Sequence, residues 1–127
     1  MRKPARVRWR RLAVLLALLA GSVGGRVLAQ DFVTYESVTV ADSAIGITST
    51  VRSPAGRPPQ TACEARLETA QVRFRFDGTA PTSSEGSLLE VGEVLTLRGA
   101  ATLAAFRAIR TGGTSGVLKI HCYVDRL

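Results

Sequence analysis

The chain has 127 residues and a net charge of +7, from 17 Lys and Arg residues and 10 Asp and Glu residues. Seven of the basic residues and none of the acidic ones lie in residues 1–29, so residues 30–127 carry ten of each and no net charge. The basic excess therefore belongs to the N-terminal segment and does not indicate a nucleic-acid-binding domain. The 98 residues from Gln30 onward are enough for one domain with one core.

Residues 1–29 have the features of a secretory signal peptide. Basic residues precede the apolar run LAVLLALLA at 12–20, and small residues follow it. Val27 and Ala29 occupy the −3 and −1 positions if cleavage falls before Gln30. The run is shorter than the roughly 20 residues that span a bilayer. We therefore expect a cleaved signal with only transient membrane contact, in preference to an uncleaved anchor, and a single domain over 30–127.

The first part of this domain is predicted to form two strands followed by a loop. Residues 32–40 and 44–51 are rich in β-branched and aromatic types, which favour strands. Residues 53–61, SPAGRPPQT, contain three prolines and predict a loop.

The clearest pattern is the alternation of apolar and polar residues in 62–68 and 71–77. Such alternation is typical of strands with one buried and one solvated face. The residues expected to point inward are Cys63, Ala65, Leu67, Val72, Phe74 and Phe76. A turn-rich loop, DGTAPTSSEG, then begins at Asp77.

The C-terminal part predicts strands at 93–98 and 117–124. In the second of these the inward residues are Leu118, Ile120, Cys122 and Val124. The alanine-rich segment 100–110 fits either a helix or a short turn with a strand over 106–110, and we favour the turn and strand. Six or seven short strands predict an all-β fold, an antiparallel β-sandwich or a small jelly-roll-like barrel.

Two cysteines fall on the presumed inner faces of two strands. In an exported protein Cys63 and Cys122 would form a disulfide that closes a long loop, and in a reducing compartment they would remain buried thiols. We favour the disulfide. His121 is adjacent to Cys122 and so points to the opposite face of its strand, which argues against a shared metal site.

The arginines of the predicted sheet have two interpretations. Arg66, Arg73 and Arg75 could form a basic stripe for phosphate or anionic lipid. They could equally pair with carboxylates on the same polar faces, and we favour this ion pairing. The carboxylates concerned are Glu64, Glu68 and Asp77.

Catalytic chemistry finds little support in the sequence. Ser115 lies in a glycine-rich turn, GGTSG, that lacks the spacing of a nucleophile elbow. The carboxylates near loops are read as solubilising groups: Glu85, Glu90 and Glu93. We expect no enzyme, no metal and no cofactor.

From about Ala62 to its end, the chain resembles small β-rich structural proteins of tailed bacteriophages. The resemblance is carried by VRFRFDGTAPT (72–82), Gly86, LLEVGEVLTL (88–97), FRAIR (106–110) and TGGTSGVLKI (111–120). It implies a virion component, such as a head or tail accessory or decoration subunit. The pattern ends in a hairpin formed by the last two strands.

These segments also have a physical reading. Asp77 and Gly78 suit a tight turn, and Pro81 stiffens the loop after it. Gly112 and Gly113 supply a flexible end to the last hairpin. These residues specify a fold and carry no chemistry.

The sequence thus predicts a non-enzymatic structural or assembly protein, with a virion accessory subunit as the leading hypothesis. Its partner would be another copy of itself or a larger protein assembly, with no role for nucleic acid. The alternative is an exported bacterial β-sandwich, locked by a disulfide, that binds a protein or envelope ligand in the periplasm or outside the cell. The two hypotheses differ in localisation, virion against exported, and in the state of the cysteines.

Overall fold

The computed structural model describes residues 33–125, and the signal peptide expected at residues 1–29 lies outside the described residues. The described part forms seven strands and two short helices. The strands are β1 (Thr34–Val40), β2 (Ala62–Glu68), β3 (Val72–Arg75), β4 (Ser87–Leu89), β5 (Val94–Arg98), β6 (Arg107–Arg110) and β7 (Gly116–Tyr123). The helices are α1 (Ser49–Arg52) and α2 (Ala100–Ala105). The predicted all-β class is therefore confirmed.

The strands form two antiparallel sheets that pack as a sandwich. The four-stranded sheet has the order β1-β7-β2-β5, and the three-stranded sheet has the order β4-β3-β6. The two last strands, β6 and β7, belong to different sheets, so the terminal hairpin expected from the resemblance is wrong. Residues 111–115 cross from one sheet to the other instead of closing a hairpin.

The core is built by the inward positions of both sheets. The alternation predicted for β2 and β7 is confirmed, since every second residue is buried along both strands. The four-stranded sheet contributes Val38, Val40, Cys63, Ala65, Leu67, Leu97, Leu118, Ile120 and Cys122. The three-stranded sheet contributes Val72, Phe74, Leu89 and Ala108, and the remaining members are Ile47, Leu103 and Phe106.

The strand predicted over 44–51 is wrong apart from one bridge. Ile45 and Ala108 of β6 exchange two backbone hydrogen bonds, with N···O distances of 2.9 and 2.8 Å. At the next position the chain approaches β6 closely, because a Cβ on Gly46 would lie 2.6 Å from the carbonyl oxygen of Phe106. Only glycine fits this close approach, no ladder follows the bridge at Ile45, and the chain enters α1 at Ser49.

For the alanine-rich segment 100–110 we favoured a turn over a helix before the strand. This preference is wrong, because Ala100–Ala105 form a helix, α2. Its alanines have the highest helix propensity, and Leu103 anchors it in the core with no exposed surface. Arg107 donates a hydrogen bond of 3.0 Å to the carbonyl oxygen of Ala104, which satisfies an acceptor of the last turn. The strand predicted after this segment is present as β6.

The prediction that Phe76 points into the core is also wrong, because 50% of its surface is exposed. Strand β3 ends at Arg75. Beyond it, Asp77 accepts a hydrogen bond from the backbone N–H of Thr79 and turns the chain away from the sheet. A local turn therefore overrides the alternation at this point.

Gln60 is the polar residue buried in the described core, with 1% of its surface exposed. Neither side-chain atom, Oε1 or Nε2, has a hydrogen-bond partner among residues 33–125. A buried amide without partners costs stability, and an apolar group of similar shape removes that cost. We expect Gln60→Met to raise the free energy of unfolding by about 1 kcal/mol, measured by urea denaturation.

Gln71 provides the matched control. Its Nε2 donates to Glu90 at 2.6 Å, and its Oε1 accepts from the Thr111 hydroxyl at 3.1 Å. Gln71→Met removes both bonds, so we expect it to lower the free energy of unfolding by about 1 kcal/mol. Destabilisation of the same size by both substitutions would contradict the interpretation of Gln60.

Candidate binding surface

Cys63 and Cys122 form a disulfide, which confirms the predicted pairing. The two residues are directly opposed in the antiparallel register of β2 and β7, with Cα atoms 4.0 Å apart. Both are fully buried. The bond cross-links the two central strands of one sheet and does not join one sheet to the other.

The loop of residues 77–86 lies over the outer face of the three-stranded sheet. Arg73 projects outward from β3 and donates hydrogen bonds to the carbonyl oxygens of Ser83, at 3.1 Å, and Gly86, at 2.8 Å. Pro81, in the same loop, is buried. This face of the sandwich is therefore partly covered by the protein's own chain.

The residues singled out in the turn motif shape this loop. Asp77 accepts the N–H of Thr79 at 3.1 Å in an Asx turn. Gly86 has a φ of +124°, and a Cβ at this position would lie 3.0 Å from the carbonyl oxygen of Phe74. Gly78 also has a positive φ, of +84°. Only glycine adopts these conformations at little cost.

Gly112 and Gly113 have a different setting. They lie in the connection between β6 and β7, and neither has a positive φ. A Cβ at either position would meet no atom within 4 Å. The structure places no conformational requirement for glycine there.

The ion pair between Arg75 and Asp77 lies at the start of the 77–86 loop and lowers the pKa of the Asp77 carboxyl group. The hydrogen bond from Arg75, followed by that from the Thr79 N–H, lowers the pKa of Asp77 from 3.8 to about 2. A lowered pKa in the folded state stabilises the protein above the unfolded-state value, and this contribution is lost as the pH falls from about 4 to about 2.

We expect an NMR titration of the Asp77 carboxyl to show a midpoint near 2. We also expect Asp77→Asn to reduce the decline in melting temperature between pH 4 and pH 2, because asparagine keeps the Asx turn and does not titrate. Glu85→Gln, in the same loop, serves as the control. A midpoint at the ordinary value of 3.8 would contradict the role of Arg75.

The outer face of the four-stranded sheet is not covered by a loop of the described chain. Strand order and register place Tyr35 opposite His121, and His121 opposite Glu64. The rings of Tyr35 and His121 are 4.9 Å apart at an angle of 43°, and Tyr35 is 53% exposed. In the next row Lys119 lies opposite Arg66. We call the surface formed by these five residues the tyrosine–histidine face.

The charges of this face are not paired with one another. Within residues 33–125, the side chains of Glu64 and Arg66 make no hydrogen bond or ion pair, and Lys119 donates instead to the Ser37 hydroxyl at 2.9 Å. Two cations directly opposed on neighbouring strands destabilise a sheet. A depression of about 180 Å³ on this face is lined by Glu64, Arg66, Val94, Lys119 and His121. Tyr35 contacts the ring of His121 beside it, so the face offers both charges and an aromatic pair to a partner.

The ion pairing expected between sheet residues is therefore wrong for β2. Arg75 pairs with Asp77, its neighbour along the chain, and Arg98 pairs with Asp125, so neither of these ion pairs involves Arg66, Glu64 or Glu68. The alternative of one basic stripe also fails, because Arg66 lies on the four-stranded sheet, whereas Arg73 and Arg75 lie on the other. Sequence alternation gives the face of each residue but not its cross-strand neighbour.

The residues considered for catalysis and metal binding are not brought together. His121 is exposed on the outer face, whereas the sulfur of Cys122 is in the core. Ser115 immediately precedes β7, six residues from His121, which corresponds to about 20 Å along an extended strand. The carbonyl oxygen of Ser115 accepts a hydrogen bond from Thr69 at 2.9 Å. Ser115 and His121 therefore do not form a catalytic pair.

None of the helices in residues 33–125 is long and apolar enough to cross a membrane. The chain was compared with known protein families, with curated proteins and with solved structures, and none of these comparisons gave a match.

Proposed function

We propose that this protein is an exported, non-enzymatic binding domain whose docking surface is the tyrosine–histidine face. The observation that carries the proposal is the buried disulfide between Cys63 and Cys122. Disulfides form and persist in oxidising compartments and are rare in the cytosol. The disulfide thus supports the exported protein over the virion subunit assembled in a reducing cytoplasm.

The asymmetry of the sandwich supports the choice of surface. One outer face is occupied by a loop that Arg73 holds in place. The other presents an exposed aromatic ring beside unpaired charges, Glu64 and Arg66, on a regular sheet. Exposed aromatic and arginine side chains are enriched in protein interfaces. The partner is a protein or envelope ligand with groups that complement both signs of charge.

The compartment is tested by intact-mass analysis of protein expressed from Met1 in a bacterial host. We expect a periplasmic or secreted species that begins at Gln30 and gains two hydrogens on reduction. A cytoplasmic species with two free thiols would overturn export. Purified phage particles would then be the place to look for the protein.

The surface is tested with a double variant, Arg66→Ala with His121→Ala. We expect this variant to lose at least tenfold in affinity for cell envelopes in a sedimentation assay, with an unchanged melting temperature. Ser83→Ala, on the covered side, is the matched control and should bind like the wild type. Equal binding by all three proteins would show that another surface carries the function.

A virion accessory subunit is the second candidate. It is supported by the resemblance over residues 62–127 and by the fixed loop that the VRFRFDGTAPT segment forms. If the protein is a virion subunit, we expect Cys63 and Cys122 to be reduced and the protein to sediment together with phage particles. The same mass and sedimentation measurements therefore separate the two candidates.

A further inference from the structure

A cleft lies between the end of β3 and the start of β4, and the proposed docking surface makes no use of it. The ladder between these two strands ends at the pair of Phe74 and Ser87. Beyond this pair the chain encloses a space of about 470 Å³ that is open to solvent and lined by residues 74–77 and 85–87. Ligand sites in proteins have volumes of roughly 300–1,000 Å³. We call this space the Phe76 cleft.

The cleft presents an aromatic ring to solvent. Phe76 is 50% exposed. Its ring stacks on that of Phe74, with the centroids 6.1 Å apart and an angle of 23° between the planes. Phe74 is itself a member of the buried core. The ring of Phe76 is therefore supported by the core on one side, while half of its surface remains available to a ligand.

The charged groups of the cleft are one cation and two carboxylates, so the cleft carries an excess of one negative charge. Arg75 and Asp77 form an ion pair and neutralise each other. The side chain of Glu85 makes no hydrogen bond or ion pair with any residue of 33–125. Its backbone is fixed, because its N–H donates to the Thr82 hydroxyl and its carbonyl oxygen accepts from the Thr82 N–H, both at 3.0 Å. A free carboxylate and an exposed aromatic ring thus share one cleft.

We propose that the Phe76 cleft binds an arginine side chain of a partner protein. The face of an aromatic ring attracts a cation, and a carboxylate binds a guanidinium group through two parallel hydrogen bonds. Because the guanidinium is planar, it stacks on the ring of Phe76 and donates from its edge to the carboxylate of Glu85. The ion pair of Arg75 and Asp77 stays intact, since Glu85 supplies the opposite charge.

The shape of the cleft favours a side chain over a free small molecule. Sites for small molecules bury about 70–90% of the ligand surface, which an open cleft does not do. A side chain needs only its charged end to be bound, because the rest of the partner makes contacts elsewhere. Lysine fits less well, since its ammonium group is more strongly hydrated and does not stack.

The site is independent of the tyrosine–histidine face. The cleft is formed by β3, β4 and their connection in the three-stranded sheet, whereas that face belongs to the four-stranded sheet. Arginine binding in the cleft does not depend on the proposed compartment or on the identity of an envelope ligand.

The first test is an NMR titration of the full chain, expressed from Met1, with a blocked tripeptide of glycine, arginine and glycine. We expect the backbone amide signals of Phe76, Glu85 and Gly86 to shift. The matched peptide has citrulline in place of arginine, which keeps the shape and removes the charge, and it should leave these signals unchanged at the same concentration. No shift with the arginine peptide, equal shifts with both peptides, or shifts confined to β1, β2 and β7 would overturn the proposal.

The second test measures the affinity of variants for the arginine peptide. Glu85→Gln removes the free charge and should weaken binding about fivefold. Phe76→Leu keeps an apolar side chain without the ring and should weaken binding about threefold. Glu68→Gln removes the same charge from an exposed position on β2, so it is the matched control and should bind like the wild type. All three variants should keep the melting temperature of the wild type.

Wild-type affinity in the Glu85→Gln variant, or an equal loss in Glu68→Gln, would overturn the proposal. The double variant Arg66→Ala with His121→Ala separates this site from the proposed docking surface. It should bind the arginine peptide like the wild type, because both substitutions lie on the other sheet. Loss of peptide binding in this double variant would place the site on the tyrosine–histidine face and overturn the assignment to the cleft.

Discussion

Replacing both half-cystines, as Cys63→Ala with Cys122→Ala, is expected to lower the free energy of unfolding by about 4 kcal/mol. The disulfide closes a loop with a sequence separation of 59, and its removal restores that loop's freedom in the unfolded chain. Both positions are fully buried, so alanine is preferred to serine, which would bury two hydroxyl groups in the core. Urea denaturation followed by circular dichroism measures the change.

Unfolding of the wild type in the presence of reductant is the matched comparison. It breaks the same cross-link while keeping the side-chain volume, so its midpoint should lie slightly above that of the double alanine variant. A loss below about 1 kcal/mol in both experiments would mean that the unfolded chain is already restricted in this region.

Phe106→Ala is expected to lower the free energy of unfolding by about 4 kcal/mol. Phe106 is 1% exposed, and its ring centroid lies 6.1 Å from that of Phe74 on β3. It joins α2 to β6, so its ring fills the core where a helix enters a sheet. Truncation leaves a cavity that this closely connected backbone cannot fill by relaxation.

Phe76→Ala is the control for this prediction. Phe76 is the same residue type and lies 6.1 Å from Phe74, but half of its surface is exposed. We expect its truncation to cost less than about 1 kcal/mol. Equal costs for the two variants would contradict the assignment of Phe76 to the surface.

The alternation of apolar and polar residues predicted the two central strands of the four-stranded sheet, β2 and β7. In β2 and β7 one side meets the core and the other meets solvent, so burial follows the two-residue period of the backbone. The same period failed at Phe76, where an Asx turn ends β3 one residue earlier. It could not reveal β4, because three residues are too short to display an alternation.

The order of the strands could not be read from the sequence. Strand order is decided by contacts between distant segments, such as the pairing of β1 with β7 across the whole length of the domain. This nonlocal pairing places Tyr35 against His121, and Lys119 against Arg66. The pairing of the cysteines was predictable because both fall on the inward faces of their strands. The proposed docking surface was not, because its residues come from three strands, β1, β2 and β7.

The position of the disulfide within one sheet also determines how the domain responds to tension. Both ends of the chain lie outside the segment between Cys63 and Cys122, which contains the whole three-stranded sheet, β5 and α2. A pulling force applied to the ends passes through the sulfur–sulfur bond and bypasses that segment. Fully stretched, the segment would add roughly 200 Å of length, and only the reduced protein can release it. The disulfide would thus resist mechanical unravelling of most of the fold for as long as the surroundings remain oxidising.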